Sequence, residues 1–242
     1  MRDFARKRWS PVGSRPHVLI PVYGSDVAAL ASHYSYDHDL GEWYSEWDEL
    51  LRGVHPFFWH LTLAWLDTPT ARTEPGNWLA LRKALLPALA NVGPVVLTAG
   101  TAVVSEHGVH LRVNRTPELD QLADAAREAM HSVFGAAAPV SDHGPDWQPH
   151  IALFHGRADV KTPSGPLRVT HLAATMPVRE VLLVDHDTWG PDGPRWDIAS
   201  ARRVPVGDTG RFEPFDRTDD GFSQLHEMGL DLLAERAPHL FR

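Results

Sequence analysis

Phe57 to Leu66 reads FFWHLTLAWL, and Gln148 to His155 reads QPHIALFH. Both runs are short, apolar and bounded by loop residues, which predicts two β-strands. Inside them stand His60-Leu61-Thr62-Leu63 and His150-Ile151-Ala152-Leu153. Residues i and i+2 of a strand share a face. His60 therefore projects with Thr62, and His150 with Ala152, while Leu61, Leu63, Ile151 and Leu153 enter the buried side. His155, five positions beyond His150, falls on the opposite face of an ideal strand and reads as structural. If the two halves are related by a pseudo-twofold axis, the two histidines face each other across a cleft.

The flanking sequence supplies the rest of the architecture. His17–Tyr23 (HVLIPVY) is a predicted strand. Asp26–Gly53 is acidic and aromatic, and predicts a helix at least over Leu40–Leu51. Asn77–Asn91 has leucines at 79, 81, 85, 86 and 89, a helical pattern stopped by Gly93-Pro94. Val95–Val104 and Val109–Val113 predict two strands joined by a hairpin loop at 105–108. Pro117–Phe134 is a helix capped by Thr116, opened by Pro117 and ended by Gly135. Val178–Asp187 and Trp196–Val206 predict two more strands. Strands outnumber helices, and hairpins mix with helical crossovers, so the fold class is α+β rather than a doubly wound parallel sheet.

The chain has 242 residues, 43% of them hydrophobic, enough for a substantial core. It contains no cysteine, which excludes a disulfide scaffold, a thiolate metal centre and a cysteine nucleophile. The net charge of −8 argues against nonspecific binding of long duplex nucleic acid. Of its 23 basic residues only Lys7, Lys83 and Lys161 are lysines. Arginine suits bidentate phosphate contacts. The uncharged run Ala84–Ser105 is broken by Pro87, Gly93, Pro94 and Gly100, so no membrane span is expected. A cytoplasmic protein is the expectation.

Two facing imidazoles suit phosphodiester cleavage. With an ordinary pKa near 6.5, one histidine can take a proton from water or a 2′-hydroxyl, and the other can protonate the leaving oxygen. A hydroxyl beside a histidine can donate to a phosphate oxygen as charge develops. In these residues the chain resembles the 2H phosphoesterase superfamily, in its 2′-5′ RNA ligase and cyclic phosphodiesterase-like branch. That family carries two His-Φ-Thr/Ser-Φ motifs, where Φ is apolar. His60–Leu63 matches in full. His150–Leu153 matches in three of four positions, 90 residues later. The resemblance extends over residues 17–206, including Leu182-Leu183-Val184 and Val204-Pro205-Val206.

The resemblance implies a bilobal, duplicated α+β fold, with two antiparallel-rich sheets flanking a central cleft and helices outside. Residues 1–16 would be a basic irregular arm, and 207–242 an acidic C-terminal extension. It further implies metal-independent, cofactor-free hydrolysis of a 2′,3′-cyclic phosphate or a 2′-5′ linkage in a nucleotide or RNA end. His60 and His150 would be acid and base, with Thr62 holding the phosphate. Ala152 stands where the family has a hydroxyl, so one phosphate clamp is missing. Arg157, just past the second strand, is a candidate phosphate partner. Trp59 and Trp147 flank the motif strands and are candidate base-stacking residues.

Three other readings compete. Ala152 allows a member that binds nucleotide or RNA ends without cleaving them. Asp37-His38-Asp39, Asp142-His143 and Asp185-His186-Asp187 carry donors for a metal-dependent phosphohydrolase, but without ordered ligand spacing. A non-catalytic interaction module would use the acidic tail as its contact surface.

Overall fold

The computed structural model describes residues 14–22, 51–54, 58–68, 73–141, 143–156, 165–166, 174–190, 193–196 and 201–207. The strands are β1 (Ser14–Pro21), β2 (Leu51–Gly53), β3 (His60–Trp65), β4 (Val95–Val104), β5 (Gly108–Val113), β6 (His150–Gly156), β7 (Gly165–Pro166), β8 (Ala174–Val178), β9 (Glu180–Gly190), β10 (Gly193–Trp196) and β11 (Arg202–Pro205). The helices are α1 (Pro75–Ala90), after β3, and α2 (Pro117–Phe134), before β6. The class is α+β. The sheet is curled and mostly antiparallel, with order β10-β9-β1-β3-β6-β5-β4-β7; β11 also pairs with β9, β2 with β6 and β8 with β4.

The two halves of the ladder meet between β3 and β6, through Leu61 opposite Ile151. On either side of that junction the register repeats. In β1–β3, Val18 faces Ala64, the register shifts, and then Leu19 faces Thr62, Ile20 faces Leu61 and Pro21 faces His60. In β5–β6, Val109 faces Phe154, the register shifts, and then His110 faces Ala152, Leu111 faces Ile151 and Arg112 faces His150. The two motif strands are thus equivalent in their pairing down to the β-bulges.

Both helices cover the face that holds Leu61, Leu63, Ile151 and Leu153. Trp78, Leu81, Leu85 and Leu89 of α1 join Leu119, Leu122, Ala126 and Met130 of α2 in one buried cluster with those strand residues. The caps of α2 follow its sequence: the Thr116 side chain accepts from the Leu119 N–H at 3.2 Å, Pro117 fills the first turn, and Gly135 ends the helix at φ 100°. In α1 the buried spacing 78, 81, 85, 89 leaves Leu79 67% exposed, contrary to the leucine pattern.

Other boundaries differ from expectation. Leu51–Gly53, placed at the end of a helix by its acidic-aromatic context, is a strand because it pairs with Phe154–Gly156 of β6. The rest of the helix expected in 26–53 lies outside the described residues. β1 begins at Ser14, inside the expected arm, because Ser14–Pro16 continue the ladder with Asp187–Asp185 of β9. The expected strand Trp196–Val206 is two strands, β10 and β11, each pairing with a different stretch of β9. Residues 208–242, which contain the acidic tail, lie outside the described residues.

Candidate active site

On the face opposite the helices, the curled sheet encloses a cavity of about 520 Å³, within the usual range for small-molecule sites. Its walls include His60, Thr62, His150, Ala152 and Trp147. The two motif histidines therefore share one cavity, while the apolar residues that alternate with them lie in the core.

Each motif ring is oriented the same way. His60 Nδ1 lies 2.7 Å from the Phe58 carbonyl, and His150 Nδ1 lies 3.0 Å from that of Gln148. A carbonyl only accepts, so Nδ1 carries the hydrogen and, in the neutral ring, Nε2 bears the lone pair. The second residue back thus sets the tautomer in both halves. His17 repeats the device, with Nδ1 2.9 Å from the Arg15 carbonyl.

The surroundings of the two rings differ. His60 is half-buried, with the Trp196 ring edge-on at 5.0 Å and the His186 ring at 5.3 Å. Burial pushes its pKa down to about 4; the Phe58 hydrogen bond opposes this, and the charge of His150 adds to it. His150 is exposed, with the His110 ring 4.8 Å away. Behind His60, His17 and His186 stack at 4.6 Å. Burial lowers His17 to about 3 and His186 well below the ordinary value. The pocket is therefore lined by neutral imidazoles on the β1–β9 side.

Two readings of the sequence, at His155 and Trp59, need correcting. His155 lines the cavity beside His150. The register shift between β5 and β6 inserts an extra residue at Leu153–Phe154, both buried, which turns the next residue back onto the cavity face. The matching bulge in β3 does the same for Trp65. Trp59, expected as a stacking candidate, is 3% exposed in the core, where its Nε1–H donates to the Val54 carbonyl at 2.9 Å. Arg157 lies outside the described residues.

Trp147 does face the cavity. His143 stacks on it at 4.3 Å, and the Arg115 guanidinium sits 5.7 Å from its ring centroid. Arg115 also donates to the Pro145 carbonyl at 2.8 Å and pairs with Asp120 at 2.7 Å, fastening the loop that carries Trp147 to α2. Among the described residues the acid/histidine pairs do not assemble a metal centre. Asp185 accepts hydrogen bonds from the Thr73 N–H and hydroxyl, and His143 Nε2 bonds the Leu63 carbonyl. Among the described residues no three His, Asp or Glu side chains converge as metal ligands. Asp37–Asp39 and Asp142 lie outside them.

The sequence matches no protein-family model and no curated protein sequence. The folded chain does match solved structures. TT0787 of Thermus thermophilus superposes with a TM-score of 0.54 at 18% identity, over 79% of this chain and 97% of that one. A crystal structure titled phosphoesterase gives 0.55 at 19%, over 81% and 99%. Escherichia coli LigT in complex with 3′-AMP gives 0.53 at 18%, over 80% and 98%. The chain has the fold of the 2H phosphoesterases. At these identities the likeness establishes the 2H architecture, and the chemistry has to come from the residues in the cavity.

Proposed function

We propose that this chain is a metal-independent phosphodiesterase of the 2H type, acting in the cytoplasm on a 2′,3′-cyclic phosphate or 2′-5′ linkage in a nucleotide or RNA end. One observation carries the reading: His60 and His150 line the same cavity, each with Nδ1 tied to the carbonyl two residues back. The 2H fold supports it, as do E. coli LigT structures with 3′-AMP and ATP, which place nucleotides on that architecture.

His60, held neutral by burial, takes the proton from the attacking water at Nε2. The water oxygen bonds to phosphorus. The bond from phosphorus to the leaving ribose oxygen breaks, and that oxygen takes the Nε2 proton of His150, acting as the general acid. Thr62 donates to a nonbridging phosphate oxygen as negative charge develops there. Trp147 stacks on the base at the rim, and Arg157 remains a proposed phosphate contact.

The deciding experiment is hydrolysis of 2′,3′-cyclic nucleotides and 2′-5′ dinucleotides in excess EDTA. Turnover to a phosphomonoester is expected to persist. Loss in EDTA with recovery on adding a divalent ion would replace this reading with a metal-dependent one. Nucleotide binding without turnover would leave a binding protein.

A further inference from the structure

The two halves distribute their polar groups differently across equivalent positions. In the first half, the motif strand carries the donor, Thr62, and its cross-strand partner on β1 is apolar, Leu19. In the second half, the motif strand is apolar at Ala152, and its partner on β5 is His110. Cross-strand partners lie on the same face of a sheet, and His110 lines the cavity with Ala152. Its ring is 4.8 Å from that of His150. Among the described residues no hydrogen bond occupies its ring nitrogens, whereas His60 and His150 each commit Nδ1 to a carbonyl.

We infer that His110 replaces the missing hydroxyl of the second motif, donating a ring N–H to a nonbridging oxygen of the bound phosphate. This rests on the phosphodiesterase reading above. The register is what makes the exchange possible. Arg112, Leu111 and His110 face His150, Ile151 and Ala152 in unbroken register, and the bulge follows only beyond them. His110 and Ala152 are thus in phase, and an imidazole has the length to cover a site that alanine leaves open. Burial and the charges of His150 and Arg112 lower His110 to about 4, so at neutral pH it has one N–H to donate and adds no competing positive charge beside His150.

The test is turnover of a 2′,3′-cyclic nucleotide by His110→Phe, His110→Gln, Ala152→Ser and His110→Phe combined with Ala152→Ser. Phenylalanine keeps the shape without a donor, and kcat is expected to fall at least about tenfold, against the roughly hundredfold or more that losing one oxyanion-hole donor costs. Glutamine keeps an N–H and is expected to stay within about fivefold of the wild type, which a purely packing role would not produce. In the double variant the serine hydroxyl restores most of the loss, whereas Ala152→Ser alone changes kcat by less than about threefold, because the phosphate oxygen is already served. A folded His110→Phe with wild-type kcat overturns the inference and leaves the phosphodiesterase reading intact. So does a loss that Ala152→Ser cannot repair. If the wild type is inert on every phosphodiester, that reading fails, and titration with inorganic phosphate decides separately: affinity weakened about tenfold in His110→Phe supports the inference, and unchanged affinity overturns it.

Discussion

Leu61 lies opposite Ile151 at the join between the two halves of the sheet, and each directly follows a cavity-facing histidine. Antiparallel pairing at that point turns one motif into the other by a half-rotation. Both histidines then enter one cavity from opposite sides of the junction, and both apolar partners drop onto the helices. The geometry for two-histidine chemistry follows from where the sheet halves are stitched.

His60→Ala and His150→Ala are each expected to lower kcat/KM on a cyclic nucleotide by at least about a hundredfold, the usual contribution of a general acid or base. Both variants are expected to fold, because the rings face the cavity rather than the core. Steady-state kinetics with circular dichroism on the same samples checks this. Near-wild-type turnover in either variant removes that residue from the mechanism.

Stability is expected to fall on mild acidification. His17 and His60 are depressed to about 3 and about 4 in the folded protein, against about 6.5 when unfolded. Between those values the unfolded chain binds more protons than the folded one, so stability rises with pH across the window. It is complete above about 6.5 and is lost progressively as pH falls toward 3–4. Urea midpoints at pH 5 and pH 7.5 measure it. His17→Phe, which removes one of the buried rings, is expected to shrink the difference between the two midpoints; an unchanged difference would mean that His17 is not a source of it.

The motif pair, the α+β class and the caps of α2 were legible because each depends on local periodicity or a short polar signal. The cavity's remaining histidines were not. His110 and His186 occupy outward positions of strands whose alternation was visible, but only the sheet order brings β5 and β9 to the same cavity. His155 was assigned by an unbroken period of two, and its strand breaks it with a bulge. Trp59 stands next to a motif histidine, and adjacency on a strand means opposite faces. His143 stands in a loop, where no periodicity applies.

Trp147→Ala is expected to raise KM for a purine cyclic nucleotide by roughly five- to a hundredfold, the range of lost base stacking, with a smaller change in kcat. The ring is fixed between His143 and Arg115, so it is preorganised rather than recruited on binding. A substrate without a base, such as a ribose cyclic phosphate, serves as the control. If both substrates lose equally, Trp147 supports the wall and does not stack.

Gly108→Ala is expected to be the most damaging single-methyl addition among the described glycines whose surroundings are resolved. Gly108 has φ 152° and sits at the start of β5, opposite His155. An added Cβ would collide with the Phe154 carbonyl oxygen and lie 2.9 Å from the His155 Cα, all of it backbone. Neither side can easily retreat. The Gly108 carbonyl accepts the Ser105 N–H at 2.8 Å, which closes the hairpin, and Phe154 is part of the bulge that turns His155 back onto the cavity face. Strain of this kind costs about 1–3 kcal/mol before any steric term. We therefore expect a stability loss of about 2 kcal/mol or more, seen as a lower urea midpoint. Turnover would drop as well, because a β5 pushed off the bulge carries His110 away from the cavity. Gly76→Ala is the control: nothing lies within 4 Å of its Cβ in the first turn of α1, so it is expected to be neutral or to stabilise by about 0.5–1 kcal/mol. Equal midpoints for the two variants would show that the β5–β6 bulge does not depend on the glycine.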